Sequence, residues 1–311
     1  MKNILILQTD NRNLDYIGLT KKLACFICKH MTENETLFKD MNYNYLFVDM
    51  NKYKKENMHP CTTKIYVLND ILNTSIANTT ICTTTEITKT ITKTQTHSTT
   101  FIKNPTIVNI NYSEVPFVTT IVEKTTEKPT SEITVTNTQY DLIVFLDGDA
   151  WIQDFHNLHR LVLKLLTQEN IHGCYSRDPF VRKNTFINSG SFIIKVNEYT
   201  KKMYQTIIEK LEGENSHWDA HPYDQFYISN YIYENKKDFW VFKPPIVNTP
   251  LGSVIRHNWW KTHKMFVDLY TLLDYFHTNN IPTSSPEIEF EKEFDEEPYP
   301  NPNEEGYQYR D

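Results

Sequence analysis

Glycine is scarce in this chain, with only 7 of the 311 residues. Two widespread phosphate-binding loops need several glycines at fixed spacing: the dinucleotide fingerprint G-x-G-x-x-G and the P-loop G-x-x-x-x-G-K-[ST]. Both loops need these glycines because only glycine lets the backbone approach the phosphates closely. Neither motif occurs in the sequence. This scarcity argues against a dinucleotide-binding Rossmann site and against a Walker-type NTPase.

Cysteine, net positive charge and long apolar runs are also in short supply. The 5 cysteines do not suggest a disulfide framework, and the C-x-x-C of Cys25 and Cys28 lies in an apolar helical pattern that favours core or surface thiols over a redox or metal site. A formal net charge of -7 argues against nucleic acid as a partner. No signal peptide is visible, and no window approaches about 18 uninterrupted apolar residues. The sequence therefore predicts a soluble, cytoplasmic protein without a transmembrane segment.

The most informative stretch covers residues 139–150 and reads Q-Y-D-L-I-V-F-L-D-G-D-A. Its apolar part, residues 142–146, is typical of a short strand buried on both faces. The strand ends in Asp147-Gly148-Asp149, and two carboxylates at the end of a buried strand are costly to bring together unless a cation lies between them. Gly148 allows a sharp turn, and Mg2+ or Mn2+ commonly bridges carboxylates to a diphosphate. The stretch predicts a metal–diphosphate site, with a pair of solvated acids on a loop as the alternative.

Strands and helices alternate along the rest of the chain. Short buried strands are predicted at Ile4–Leu7 and Tyr45–Val48, with an amphipathic helix over residues 16–27 between them, and a second helix opens at His59-Pro60 and extends to Leu72. The order strand, helix, strand predicts an α/β fold with a parallel sheet flanked by helices. Later predicted elements are a helix over 152–165, a turn and buried strand over 186–194, a helix over 199–211, a helix over 222–233 and a strand over 240–242.

Two segments differ in composition from the rest. Residues 73–138 are rich in threonine and contain no glycine, and we interpret them as a surface insertion whose composition is equally compatible with disorder and with loosely packed β-structure. Residues 286–311 are acidic and contain proline, which predicts a disordered tail. The sequence thus predicts one domain over residues 1–285, interrupted by the threonine-rich insertion.

Four motifs follow one another along the chain: D-G-D-A at 147–150, F-I-N-S-G-S-F at 186–192, D-Q at 224–225 and R-H-N-W-W-K at 256–261. In order and spacing they resemble the GT-A fold nucleotide-sugar glycosyltransferases, in particular the galactosyl/mannosyl/xylosyl transferase family (glycosyltransferase family 34-like). The resemblance covers roughly residues 1–75 and 139–275. It implies a GT-A, Rossmann-like mixed sheet. It also implies metal-dependent transfer of a hexose or pentose, with retention, from a UDP- or GDP-sugar to a glycan or other hydroxyl acceptor.

The resemblance also implies a role for each matching residue. A metal centre for Mn2+ or Mg2+ is implied at Asp147, Asp149 and His257, with Asp147 also near the ribose. Asp224 and Gln225 are implied as the catalytic pair at the anomeric carbon. The implied contacts with the nucleotide sugar are Asn188, Ser189 and Gly190 against the donor sugar, Lys261 at the diphosphate, and Thr9, Asp10 and Lys64 at the base and ribose.

Each motif taken alone has a structural explanation. His257 is compatible with a surface histidine, Asp224 and Gln225 with first-turn helix residues, and residues 188–190 with an ordinary turn. One rival function is a haloacid-dehalogenase-like phosphatase with Asp147 as nucleophile, although the G-D-x-x-x-D pattern expected later in such an enzyme does not follow. The other is a non-catalytic nucleotide-sugar-binding protein.

The chain departs from the family in two respects. Eukaryotic members usually carry an N-terminal membrane anchor, which is not seen here, and the long threonine-rich segment is not typical. The composition, heavy in Asn, Lys and Ile, suggests an AT-rich genome such as that of a large virus or a protist.

Overall fold

Strands and helices alternate through the described part of the chain. The computed structural model describes residues 1–10, 40–53, 55, 58–74, 76–84, 98–103, 106–111, 130–182, 185–214, 223–242, 247–248 and 252–257. The strands are β1 (Lys2–Asp10), β2 (Met41–Asp49), β3 (Ile76–Thr84), β4 (Ser98–Lys103), β5 (Thr106–Asn111), β6 (Thr130–Thr138), β7 (Leu142–Asp147), β8 (Ala150–Ile152), β9 (Gly173–Arg182), β10 (Thr185–Lys195), β11 (Phe239–Phe242) and β12 (Ile255–His257). The α-helices are α1 (Pro60–Asn73), α2 (Phe155–Leu166), α3 (Glu198–Glu214) and α4 (Asp224–Glu234).

An 8-stranded mixed sheet lies at the centre, in the order β11-β9-β10-β7-β1-β2-β4-β5. In its middle β7, β1 and β2 run parallel to one another, and β10 joins β7 in the antiparallel direction. Ile4 to Thr9 lie beside Leu142 to Asp147, so β1 and β7 end at the same edge of the sheet. The mixed α/β sheet flanked by helices that the sequence predicts is confirmed.

Helices cover both faces of this sheet, which explains the continuous apolar runs in its strands. Side chains alternate between the two faces along a strand. Ile4 and Ile6 belong to the apolar cluster that includes α2, whereas Leu5 and Leu7 belong to the cluster that includes α1, α3 and α4. A strand with both faces buried has no solvent side and therefore shows no polar alternation.

Capping residues determine where the helices begin. His59 Nδ1 accepts the backbone N–H of Cys61, and Pro60 opens α1, as the sequence predicts. Asp154 caps α2 by accepting the N–H of Asn157. The prediction that Ile152 belongs to this helix is wrong, because Ile152 lies in β8, ahead of the cap.

The helix predicted over 222–233 is present as α4, which begins at Asp224. Tyr223 before it has a φ of 55°, a left-handed backbone conformation that separates the helix from the preceding chain. The ring of Tyr223 stacks on that of His59, with centroids 3.7 Å apart. This contact joins the starts of α1 and α4, the two helices that supply Lys64 and Asp224 to the site described below.

The threonine-rich segment forms β-strands in its described residues after Thr74. Strand β3 pairs with β6 in a separate two-stranded sheet, while β4 pairs with β2 and β5 pairs with β4, which extends the central sheet beyond β2. The choice between disorder and loosely packed β-structure for the segment as a whole stays open. The division of the chain into a domain over 1–285 with an insertion over 73–138 stays a prediction.

Several sequence-based expectations lie outside the described residues. These are the helix over 16–27 with Cys25 and Cys28, Lys261, and the tail over 286–311. Among the helices that the structure describes, none is both long and apolar enough to span a membrane.

Candidate metal centre

The carboxyl ends of β1 and β7 bring together many of the polar residues predicted from the sequence. Thr9 and Asp10 end β1 and Asp147 ends β7. Ser191 of β10 lies beside Leu146, so the preceding residues of β10 lie at the same edge. In open α/β sheets, ligands bind at the carboxyl ends of the strands.

Asp147, Asp149 and His257 form a cluster there, in which one oxygen or nitrogen atom from each lies within 4.8 Å of the others. His257 Nε2 is 3.1 Å from Asp149 Oδ1 and 3.9 Å from Asp147 Oδ2. His257 reaches this position because β12 pairs with β8 in the antiparallel direction, which places His257 opposite Ala150. A strand pairing between residues far apart in sequence thus completes the cluster.

Two buried side chains hold the turn between β7 and β8. Gln8 Nε2 donates to the carbonyl oxygens of Asp147 and Ala150, at 3.2 and 3.1 Å. The Tyr45 hydroxyl in turn donates to Gln8 Oε1 at 2.6 Å. Because both sides of the Asp149 backbone are tied to β1 in this way, the position of the turn is set by the sheet as well as by Gly148.

The chemistry of the cluster fits a divalent cation. Two carboxylates and an imidazole nitrogen in such proximity are stabilised by a positive charge, because the negative carboxylates repel each other and the lone pair of a neutral imidazole is a ligand for a cation. Carboxylates suit Mg2+ and Mn2+, and neutral imidazole is a common ligand of divalent transition metals. The donor set of Asp147, Asp149 and His257 can therefore hold Mn2+ or Mg2+.

The ammonium group of Lys64 lies between this cluster and Asp224. Its Nζ is 2.9 and 3.0 Å from the two carboxylate oxygens of Asp147 and 3.5 Å from Asp224 Oδ2. It also donates to the carbonyl oxygen of Ser189 at 3.4 Å, and the Ser189 hydroxyl donates to Asp224 Oδ2 at 2.6 Å. The Lys64 and Asp224 side chains are each only 3% exposed, so each charge depends on the other for stabilisation.

Burial and neighbouring charges act in opposite directions on these three groups. Burial raises the pKa of Asp147 to about 6, although the Lys64 ammonium and His257 counteract it. Burial also raises the pKa of Asp224, opposed by Lys64 and by the Ser189 hydroxyl. Burial by itself lowers the pKa of Lys64, but the Asp147 and Asp224 carboxylates outweigh it and raise that pKa. Lys64 is therefore positively charged. Its predicted contact with the base or ribose of a nucleotide stays a prediction.

Asn188, Ser189 and Gly190 lie in an irregular part of β10 and not in a turn before a strand. The register between β10 and β9 shifts between Asn188 and Ile193, which marks a bulge. The bulge brings Gly190 against His257: a Cβ on Gly190 would lie 1.9 Å from Cε1 and 2.2 Å from Nδ1 of the imidazole. Only glycine leaves room for this ring.

Replacing Gly190 by alanine is expected to displace the His257 ring and to weaken Mn2+ binding by about 10- to 100-fold, the range seen when the support of a metal ligand is lost. Electron paramagnetic resonance of free Mn2+ during a titration measures the affinity. Gly213→Ala is the matched control, because no atom lies within 4 Å of a Cβ added there. Equal Mn2+ affinity in the two variants would contradict the packing of His257 on Gly190.

Gln225 is held by Asp178, which the sequence analysis did not single out. Gln225 Nε2 donates to Asp178 Oδ2 at 2.7 Å, and Asp178 is buried in the middle of β9. Because an ionised carboxylate only accepts hydrogen bonds, this contact fixes the amide so that its oxygen lies on the side away from Asp178. Asp178 stands in the sequence without a recognisable motif around it.

The hydroxyl group of Thr9 is buried and has no hydrogen-bond partner in the described part of the chain. Thr9 lies directly beside Asp147 in the sheet, and Asp10 follows it, also buried. An unsatisfied buried hydroxyl is uncommon and is a group that a bound ligand can satisfy. This is the observation that keeps Thr9 among the candidate ligand contacts.

Asn248 is a second site residue that the sequence analysis missed. It is fully buried, and its Oδ1 accepts a hydrogen bond from the ring of His257, with 2.8 Å between Asn248 Oδ1 and His257 Nδ1. Its surroundings in the sequence, V-N-T-P at 247–250, are typical of a turn, so no local pattern marks it.

Comparison with known proteins finds similar structures but no similar sequences. No protein-family model and no curated protein matches the chain. Among solved structures, the chain is similar to a glycosyltransferase involved in glycosylation of the major capsid of PBCV-1, with 10% identity, 86% of this chain and 98% of that chain covered, and a TM-score of 0.49. It is also similar to the apo form of the glycosyltransferase GlyE of Streptococcus pneumoniae TIGR4. The identity is 10%, the match covers 89% of this chain and 64% of that chain, and the TM-score is 0.40. A third similar structure is a mutant of Drosophila β1,4-galactosyltransferase 7 in complex with manganese, UDP-Gal and xylobiose. The identity is 9%, the match covers 85% of this chain and 74% of that chain, and the TM-score is 0.32. All three of these proteins are glycosyltransferases.

Proposed function

We propose that this protein is a metal-dependent glycosyltransferase that moves a hexose or pentose from a nucleotide-diphosphate sugar to a glycan or another hydroxyl acceptor, with retention of configuration. One observation carries the proposal: the buried Lys64–Asp224 pair directly adjoins the cluster of Asp147, Asp149 and His257 at one sheet edge. In glycosyl transfer, a cation stabilises the departing diphosphate and a carboxylate near the sugar stabilises the positive charge of the transition state.

The metal site supports the departure of the nucleotide diphosphate. Mn2+ or Mg2+, held by Asp147, Asp149 and His257, would supply Lewis-acid stabilisation of the negative charge that develops on the leaving group. The protein's own part is to keep these ligands in place. Lys64 binds both carboxylate oxygens of Asp147, and Gln8 holds the backbone at the turn.

Asp224 and Gln225 are proposed to act on the sugar. The transition state of glycosyl transfer carries positive charge on the ring, which a nearby carboxylate or amide oxygen stabilises. Asp224 is held for this by Ser189 and Lys64, and Asp178 orients the amide of Gln225. Both residues sit in the first turn of α4, so one helix end carries the two groups.

The remaining contacts with the donor follow from the sequence resemblance. Asn188, Ser189 and Gly190 are proposed to lie against the donor sugar. Thr9 and Asp10 are proposed to lie near the nucleoside, which is supported by the Thr9 hydroxyl, a buried group without a hydrogen-bond partner among the described residues. Lys261 is proposed to contact the diphosphate. Three further points stay predictions: a UDP- or GDP-sugar as the donor, the absence of a nucleic-acid partner, and a cytoplasmic or viral setting.

A donor screen tests the proposal. Thermal shift and calorimetry are run with UDP- and GDP-sugars in the presence of Mn2+ or of a chelator. We expect one nucleotide sugar to raise the unfolding temperature by several degrees with Mn2+ and not with the chelator, because binding to the folded state alone stabilises it. Failure of every nucleotide sugar to bind in Mn2+ would refute the proposal, and phosphatase activity would be assayed next. Binding without transfer to any acceptor or to water would instead favour the non-catalytic binding protein.

A further inference from the structure

We propose that Asn248 is a positioning residue that selects the Nδ1–H tautomer of His257, so that the Nε2 lone pair faces Asp147 and Asp149. The inference deepens the proposed function and rests on it for the presence of a metal ion. It starts from a chain of hydrogen bonds that runs from β10 through Asn248 to His257.

Two backbone groups set the direction of the hydrogen bonds in this chain. The N–H of Gly190 donates to Asn188 Oδ1 at 3.0 Å, so this oxygen accepts. Asn248 Nδ2 lies 2.7 Å from the same Oδ1 and 2.8 Å from the carbonyl oxygen of Asn188. Because both of these atoms are acceptors, the NH2 group of Asn248 must face Asn188, and the amide oxygen of Asn248 must face the other way.

That amide oxygen is 2.8 Å from His257 Nδ1. An amide oxygen only accepts, so Nδ1 has to carry a hydrogen atom. In a neutral imidazole the other nitrogen then has none, and Nε2 presents its lone pair 3.1 Å from Asp149 Oδ1. This is the form in which a histidine binds a metal ion, with its second nitrogen donating to a fixed acceptor.

Packing keeps the chain from rearranging. Asn248 and His257 are 0% and 5% exposed, so water does not compete for their hydrogen bonds. The Ser191 hydroxyl donates to the carbonyl oxygen of Val247, which ties the residue before Asn248 to β10. The His257 ring packs directly against Gly190 and occupies the space that a Cβ at this position would fill.

A second asparagine–histidine pair in the same chain has the opposite polarity. Asn197 Oδ1 accepts the backbone N–H of Thr200 at 3.0 Å, which leaves Nδ2 to face His172 Nδ1 at 3.1 Å. The amide donates here, so His172 Nδ1 accepts and its hydrogen atom is on Nε2. Burial, together with nearby Lys195, lowers the pKa of His172 and favours its neutral ring. The two pairs are therefore internal controls for each other.

Nitrogen NMR of the full-length chain, labelled with 15N at the histidine rings and saturated with Mg2+, tests the assignment. We expect hydrogen on Nδ1 of His257 and on Nε2 of His172. Asn248→Ala should alter the His257 signals alone, and Asn197→Ala the His172 signals alone. A His257 without hydrogen on Nδ1, or with hydrogen on Nε2, in the wild-type protein would overturn the inference, whether or not Asn248→Ala folds.

The affinity for Mn2+ alone provides a second readout. We expect Asn248→Ala to raise the Kd for Mn2+ by about 10- to 100-fold, as loss of an outer-shell partner typically does. Asn197→Ala should leave the Kd unchanged. Equal Kd values for Asn248→Ala and the wild type would contradict the positioning role. A wild-type protein that binds no Mn2+ would instead contradict the metal centre of the proposed function, and the NMR result would still decide the tautomer.

Discussion

Replacing Lys64 by methionine is expected to lower the free energy of unfolding by about 3–5 kcal/mol, the usual cost of removing one partner of a buried ion pair. The methionine keeps most of the side-chain volume, so the loss comes from charge and not from a cavity. Lys64 Nζ lies within 3.5 Å of the carboxylates of both Asp147 and Asp224, and its removal takes this positive charge away from both. Urea unfolding at pH 8 measures the change.

Lys55→Met is the matched control. Lys55 pairs with Glu212 on the surface, where both side chains are 47% exposed, and such a pair contributes at most about 1 kcal/mol. Similar losses of stability in the two variants would contradict the account of Lys64 as a buried counter-charge.

The cost of Lys64→Met should also depend on pH. Burial raises the pKa of Asp147 and of Asp224 above their ordinary values, and loss of the Lys64 charge raises both further. The folded variant then binds protons at these carboxylates more tightly than the unfolded chain does, so its stability increases as the pH falls through the folded pKa values. We expect a smaller loss of stability at pH 5 than at pH 8, from the same unfolding experiment.

Replacing Asp149 by asparagine is expected to reduce the rate of sugar transfer by roughly 100- to 1000-fold, since a metal ion contributes several kcal/mol to a charged transition state and each 1.4 kcal/mol is a factor of ten. In the absence of metal the variant should be no less stable than the wild type, because the Asp149 charge repels that of Asp147, whose pKa it raises. Transfer assays with the donor found in the screen, together with metal-free unfolding, measure the two effects.

Asp141→Asn is the corresponding control at the other end of β7. Asp141 binds Lys2 Nζ at 2.7 Å and accepts the N–H of Asn3, on the edge of the sheet opposite to the metal cluster. We expect it to leave the transfer rate unchanged. If Asp149→Asn retained full activity with Mn2+ present, Asp149 would not be a ligand of the ion.

Local patterns were sufficient to predict the elements that carry the site. The apolar run over 142–146 corresponds to β7, because a strand buried on both faces has to be apolar throughout. Pro60 and the helical spacing after it correspond to α1, which begins within one residue of the predicted start. Both elements are specified by neighbours in sequence, and this is why they were predictable.

Contacts between distant segments were not predictable in the same way. The pairing of β12 with β8, the bulge in β10 and the roles of Asn248, Asp178 and Gln8 leave no periodic or compositional trace. Ile152 was assigned to a helix because its spacing matched the apolar face of α2, whereas the cap at Asp154 and the pairing of Ile152 with Ile255 hold it in β8. In this case tertiary pairing prevailed over periodicity.

The sequence by itself determined the α/β class, the strand that ends in Asp147-Gly148-Asp149 and the types of residue available for metal and sugar chemistry. Only the tertiary structure decided which of those residues meet. It brought His257 to the carboxylates through a pairing across about a hundred residues, and it enclosed Lys64 between Asp147 and Asp224. The physical reason is that backbone conformation follows from local sterics and burial, whereas a charged site forms only where the whole sheet brings its partners within hydrogen-bonding distance.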